Sequence, residues 1–218
     1  MPAFFVLPER TAKTALHHEV LPIWEKWRES VSQPLRVICL DFHTDVLDCR
    51  RRGIADPVNA AEAVRVLHHD EHFDWALRHG ILSSALIAAW SPCPVPPEHP
   101  ALEVCRPPQL PELDVMLNEP EKYRPLAEKV LESSFLQTII PEGIPAEPYI
   151  LDIDCDCIQC EAALHPADGS FIDALARHAV GITLSREEDW VKLLRLPGEK
   201  ISGESIAGEL SDRWRENK

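Results

Sequence analysis

Twice in this chain a short apolar run ends in acidic residues spaced two apart. Leu35 to Leu40 leads into Asp41-Phe42-His43-Thr44-Asp45, and Tyr149-Ile150-Leu151 leads into Asp152-Ile153-Asp154-Cys155-Asp156. Short continuous runs without Pro, often β-branched, suit strands buried on both faces, the kind that parallel sheets are made of. If the chain stays extended past each run, side chains at i, i+2 and i+4 fall on one side. Each motif then delivers a row of polar groups to the carboxyl end of a strand, where open α/β sheets bind ligands. Carboxylates gathered beside a core do not stay ionised cheaply without a cation. The two motifs together therefore predict a parallel sheet with a metal site at its carboxyl edge.

The remaining pattern agrees. Ala3 to Leu7, Ser84 to Trp90 and Ala179 to Leu184 read as further strands. Between the runs, apolar residues recur three and four apart, in Leu16, Val20, Ile23, Trp24 and Trp27, then in Val64, Leu67 and Trp75 to Leu82. Ile201, Ile206, Leu210 and Trp214 form a last stripe. These are helices laid on a sheet, so the fold class is α/β, with a central, mostly parallel sheet flanked by helices. No repeat of fixed period occurs, and residues 1–218 read as one domain. Ten of the twenty prolines fall between Pro92 and Pro125. Pro blocks helix interiors and central strands, so 92–125 is expected to be an irregular loop excursion, in the position of a lid or a rigid surface loop.

Composition removes several functions. Lys plus Arg number 22 against 36 Asp plus Glu, a net charge of −14. Such a deficit of cations argues against nucleic acid as a partner. The longest nearly apolar run, Ile81 to Trp90, is half of the roughly 20 residues that a spanning helix needs, and MPAFFVLPER lacks a basic leader segment. Neither membrane nor export is expected. Seven cysteines, three of them crowded at Cys155, Cys157 and Cys160, fit reduced thiols in a cytoplasmic protein. Cys157 and Cys160 have no second pair at zinc spacing, and Arg50-Arg51-Arg52 reads as a solvated basic run.

Counting ligands narrows the metal. Asp41, His43, Asp45, Asp152 and Asp154 are too many, and too rich in oxygen, for one tetrahedral zinc. Two bridged divalent ions fit better, with four carboxylates against four positive charges. A sixth ligand would come from another strand end, where either His17 or His18 is available.

LDFHTDVL resembles the Asp-x-His-x-Asp motif of the arginase and deacetylase superfamily, and ILDIDCDCI resembles its later Asp-x-Asp motif, in the same order and after a His. With HHEVLPIW and HHDEHFDWAL, the combination is most similar to the peptide-arginase branch and its uncharacterised relatives, over residues 3 to about 190. The resemblance implies an arginase-like three-layer fold and a dimanganese hydrolase, two Mn2+ per chain. Asp41 and Asp152 would bridge the ions, His18 and Asp45 would complete one, and His43 and Asp154 the other. The 23 residues between His18 and Asp41 favour His18 over His17. Water acidified by both ions would attack the guanidinium carbon of an arginine side chain in a peptide, giving ornithine and urea. His72, or else His69, would pass a proton to the leaving amine.

Departures from the family pattern bear on the substrate. The Gly-rich stretch before the first His and the Asp-Pro closing the second motif, both features of free-arginine arginases, are missing here. No clear equivalent of the acidic residue that grips a guanidinium is visible, since Ser185 and Glu188 read as a helix capping box. The chain is also shorter than those enzymes, which implies a more open cleft that would accept a peptide. A homo-oligomer is compatible with the sequence. Two rivals keep the motifs: a hydrolase of another amide, ureido or guanidino small molecule, or a noncatalytic peptide-binding partner with a vestigial site.

Overall fold

Apolar runs become strands throughout residues 10–215, the part of the chain that the computed structural model describes. Among the described residues there are six strands: β1 (Thr11–Thr14), β2 (Leu35–Asp41), β3 (Leu82–Ala89), β4 (Leu102–Cys105), β5 (Tyr149–Asp154) and β6 (Gly181–Ser185). The expected strand Ala3 to Leu7 lies outside the described residues. All neighbours pair in parallel, in the order β1-β6-β5-β2-β3-β4. From β2 the chain moves outward through β3 to β4, then crosses back to β5 on the other side of β2. The carboxyl ends of β2 and β5 thus flank the point where the winding reverses, the position at which such sheets open a crevice.

Helices cover both faces. On one lie α1 (Leu21–Val31), α2 (Ala60–Val66) and α3 (His72–Arg78), packed on Val37, Cys39, Ile87 and Ile150. On the other lie α4 (Leu113–Asn118), α5 (Pro120–Ala127), α6 (Ser133–Ile139), α7 (Ser170–His178), α8 (Glu188–Leu194) and α9 (Gly203–Arg215), packed on Ile38, Leu40, Leu151 and Ile153. Burial of both faces explains why the inner strands β2, β3, β5 and β6 read as mostly apolar runs, unlike the edge strands β1 and β4. By the two-residue alternation, Asp41 continues the Val37 and Cys39 side, and Asp152 and Asp154 continue the Ile150 side. Both motifs therefore look toward the layer that holds α1 and α3. Among the described residues no helix is long and apolar enough to cross a membrane.

The Pro-rich region differs from expectation. Residues 92–125 are not an irregular excursion throughout, because the Pro-free stretch 101–106 forms β4 and two short helices follow. Most of the prolines punctuate these elements: β4 sits at the sheet edge, which tolerates nearby Pro, and Pro120 opens α5 at the position where a missing N–H costs nothing, while Pro125 lies inside that short helix.

Candidate metal centre

The ring of His17 lies at the meeting point of the two acidic motifs. It opens a single 3-10 turn (His17–Val20) between β1 and α1. Its Nδ1 is 2.9 Å from Asp45 Oδ2, 3.2 Å from Asp154 Oδ2 and 3.6 Å from Asp41 Oδ2, while Nε2 is 2.7 Å from Asp152 Oδ2. Burial opposes charge on this imidazole, but Asp152, Asp154 and Asp45 outweigh it and hold its pKa well above the ordinary histidine value. The backbone fixes the ring as well, since His17 N–H donates to Glu187 Oε1 at 2.6 Å. His18, which the family spacing favoured, is not brought into this group. Neighbouring residues of a 3-10 turn point about 120° apart, so His18 lines an adjoining cleft instead, with its Nδ1 buried and unpartnered.

Asp41 ends β2, and the chain does not stay extended beyond it. Asp45 adopts a left-handed backbone with φ 46°, so the three polar groups converge by a turn and not as a row. His43 N–H donates to Asp41 Oδ1 at 2.7 Å, and the His43 ring turns to Asp156, with Nδ1 2.9 Å from Oδ2. Burial opposes the His43 charge, yet Asp156 prevails and raises the pKa to about 9. The second motif also breaks after two residues: β5 stops at Asp154, and a 3-10 turn, Cys155–Cys157, carries Asp156 back over the end of β2. There its Oδ1 accepts from Phe42 N–H at 3.1 Å. The same turn sends Cys155 and Cys157 into the core on the other side of the sheet, as inert buried thiols.

The donor set fits divalent cations. Donor atoms of His17, Cys39 and Asp41 lie within 4.8 Å of one another, as do those of Asp41, His43 and Asp156, so Asp41 belongs to two adjacent groups. Asp41 is wholly buried, and its Oδ2 has no hydrogen-bond partner. Burial, Asp45 and Asp156 push its carboxyl well above the usual range, and burial with Asp156 does the same to Asp154. Asp45 goes the other way: burial would raise it, but the hydrogen bond from His17 holds it low. A buried thiol raised well above its ordinary value by burial and Asp152 makes Cys39 a neutral wall 4.0 Å from His17 Nε2. Asp152 is braced from the far side, because Thr183 Oγ1 donates to its Oδ1 and Trp24 Nε1 donates to Thr183 Oγ1 at 3.2 Å.

Comparison with solved structures finds this architecture in proclavaminate amidino hydrolase from Streptomyces clavuligerus, with a TM-score of 0.50 and 15% identity. The likeness covers 94% of this chain and 61% of that one, so the chain spans about 61% of the length of its structural neighbour. At this identity it is a likeness of fold alone, and it bears out the α/β architecture, a central parallel sheet flanked by helices, expected from the motifs. No protein-family profile and no curated protein sequence matches.

Beside the centre, a cleft of about 380 Å³ runs past Leu16, His18, His69, Glu187, Asp189 and Trp190. A second, of about 150 Å³, runs past His43, Asp45, Leu47, His69, Ser91 and Cys93. His69 borders both and is exposed, whereas His72 is fully buried. Burial and the neighbouring His17 push the His72 pKa down to about 3.

Three residues of this neighbourhood escaped sequence reasoning. Glu187 is left-handed (φ 40°), a conformation that costs a non-glycine residue roughly 1–2 kcal/mol. Like Asp45, the other strained residue here, it is held by a bond to His17. Glu188 does not form the expected capping box with Ser185. Its carboxylate instead accepts from Gly203 and Glu204 N–H at the start of α9, 3.2 and 2.7 Å away, and Ser185 Oγ turns to Thr14. Arg52, exposed as the basic run implied, also grips buried Glu71 through two bonds of 2.8 and 2.6 Å. Glu71 also accepts from His68 N–H at 2.8 Å, and so fastens the loop that carries His69 and leads into His72 at the start of α3.

Proposed function

We propose that this protein is a cytoplasmic dimanganese hydrolase of guanidino C–N bonds, which converts arginine residues of a peptide to ornithine and releases urea. The observation that carries the reading is the convergence of buried Asp41, Asp45, Asp152 and Asp154 on the His17 ring at the switch point of the sheet, where Asp41 also lies at ligand spacing from His43 and Asp156. Asp41 and Asp152 are the candidates to bridge two ions, with His17 and Asp45 on one side, His43 on the other, and Asp154 and Asp156 beside it. Bound there, two divalent cations supply Lewis acidity and a nucleophile acidified at neutral pH. The predominance of oxygen donors favours Mn2+ or a similarly hard ion. The structural neighbour is by its name an amidino hydrolase, which supports chemistry at an amidino carbon in this fold.

The chain's own side chains supply the remaining functions. Glu187 and Asp189 line the larger cleft and attract a guanidinium, and the partly exposed Trp190 offers a ring face for it to lie on. The acidic net charge steers a cation inward. His69, at the border of both clefts, is placed to hand a proton to the departing amine. Clefts on both sides of His69 leave room for chain to continue in two directions, which favours a residue within a peptide over a free amino acid.

The test pairs metal analysis with product detection. Protein purified with manganese is expected to hold two Mn2+ per chain and to remove the elements CH2N2 from an arginine-containing peptide, with urea appearing in equal amount. Two ions without these products would redirect the search to amide or ureido substrates. Metal-free protein would leave a peptide-binding role with no chemistry.

A further inference from the structure

The side chain with no assigned use at the centre is His72. Its ring is completely buried, 4.4 Å from the His17 ring and 4.1 Å from that of Phe73, with Trp24 5.7 Å away. Nδ1 lies 2.7 Å from the carbonyl oxygen of His69. A carbonyl only accepts, so Nδ1 carries the hydrogen and Nε2 carries a lone pair. That Nε2 is buried and has no hydrogen-bond partner. A ring nitrogen of His72 also lies within 4.8 Å of donor atoms on His17 and Asp45, and the three form a group of their own.

We propose that His72 is a ligand of the ion held by His17 and Asp45, and not the proton carrier that the sequence suggested. The inference rests on the metal reading given above. Ligating histidines almost always donate their other ring N–H to a carbonyl or a carboxylate, which fixes both tautomer and orientation. His72 has that bond already, its other nitrogen is bare, and the ring stands within ligand spacing of donor atoms on two other residues. A proton carrier needs exchange with solvent or substrate, which a ring with 0% exposure lacks. Proton transfer then falls to His69, whose carbonyl orients His72 and whose own ring borders both clefts. The centre becomes unequal, with two imidazoles on one ion and one, His43, on the other. Imidazole suits iron, zinc and nickel, whereas carboxylate suits manganese, so the two positions should differ in metal preference.

Calorimetric titration of the full chain with Mn2+ tests this. Wild type is expected to take up two ions. His72→Gln and His72→Ala should keep one and bind the other at least about tenfold more weakly. Variants that are folded by circular dichroism yet bind both ions as wild type does would overturn the ligand role. Because removal of a buried ring can unfold a protein, the question is also put to wild type labelled with 15N on histidine and loaded with 113Cd2+. Cadmium–nitrogen coupling at both His43 and His72 Nε2 supports the proposal, and coupling at His43 alone overturns it. No uptake of Mn2+ and no coupling at either histidine would overturn the metal reading itself, and His72 with it.

Discussion

Among the described residues, two clusters bring acidic residues together with Cys or His at ligand spacing, and they differ in what neutralises them. Around Asp48, Cys49 and Asp74 the counter-charges are guanidiniums: Arg78 Nε is 2.7 Å from Asp74, and Arg50 Nη2 is 3.0 Å from Asp48. Around Asp41, Asp45, Asp152, Asp154 and Asp156 they are the imidazoles of His17 and His43. Arginine keeps its charge at any physiological pH and offers no lone pair to a metal. Histidine exchanges its proton for one. Spacing alone therefore does not make a metal centre, and neither does an orphaned oxygen, since Asp74 Oδ1 lacks a hydrogen bond just as Asp41 Oδ2 does. What separates the clusters is whether the cation already present can be traded for another.

The largest effect that would break or sharpen this contrast is on metal content. Asp41→Ala removes the donor common to two groups and is expected to lower Mn2+ from two per chain to less than one, with turnover below detection. Asp74→Ala should leave two ions in place. Elemental analysis of both proteins decides it, and loss of metal from Asp74→Ala would erase the distinction.

Next in size is a stability effect on the arginine-served cluster. Arg78→Met leaves Asp74 buried without its partner, and unfolding in urea should show a loss of about 2 kcal/mol. The value is below that for a fully buried pair because the Arg78 side chain is 27% exposed. Metal uptake should be unaffected.

A smaller effect belongs to the cover of the imidazole-served centre. The Trp190 ring meets His43 edge-on at 4.7 Å and lines the larger cleft. The other five tryptophans are buried. Trp190→Ala should raise KM about tenfold at nearly constant kcat, the scale of one desolvated cation–ring contact, while Trp190→Phe keeps most of the affinity. Peptide binding should also shield the Trp190 fluorescence from acrylamide, a signal that needs no turnover.

The acidic centre was legible in the sequence, for a definite reason, whereas the arginine-served cluster was not, since Arg50-Arg51-Arg52 read only as a solvated run. A strand buried on both faces must be apolar, so the acidic residues that end β2 and β5 stand out against it, and the sheet and its carboxyl edge follow. Contacts made by turns were not legible. Asp45 and Asp156 reach the centre through a left-handed residue and a 3-10 turn, where period-two reasoning fails. The selection of His17 over His18 is made by Glu187, 170 positions away, which captures one backbone N–H. β4 was hidden because a four-residue edge strand among prolines has no pattern of its own.

The smallest effect is the pH dependence of the metal-free protein. His43 has a folded pKa of about 9, raised above the ordinary 6.5 by Asp156, so folding binds its proton more tightly. The stability this contributes is complete below pH 6.5 and is lost as pH rises through 9, and His17, also raised, acts in the same direction. His72, lowered to about 3 by burial and His17, acts oppositely: it costs stability as pH falls below 6.5. With chelator present, the melting temperature should therefore decline from pH 6.5 toward pH 9, and the raised carboxyls of Asp41 and Asp154 act in the same direction. The gain on adding Mn2+ should grow over that same interval, because a metal must displace the His43 proton. The arginine-served cluster is silent in this window, with Asp48 held down to about 2 by Arg50 and Cys49 pushed up to about 12 by burial and Asp74. Asp156→Asn removes the partner that raises His43 and should flatten the decline. A melting temperature already flat in wild type would mean that His43 holds no tradable proton, and the contrast between the two clusters would fail on the side of the centre.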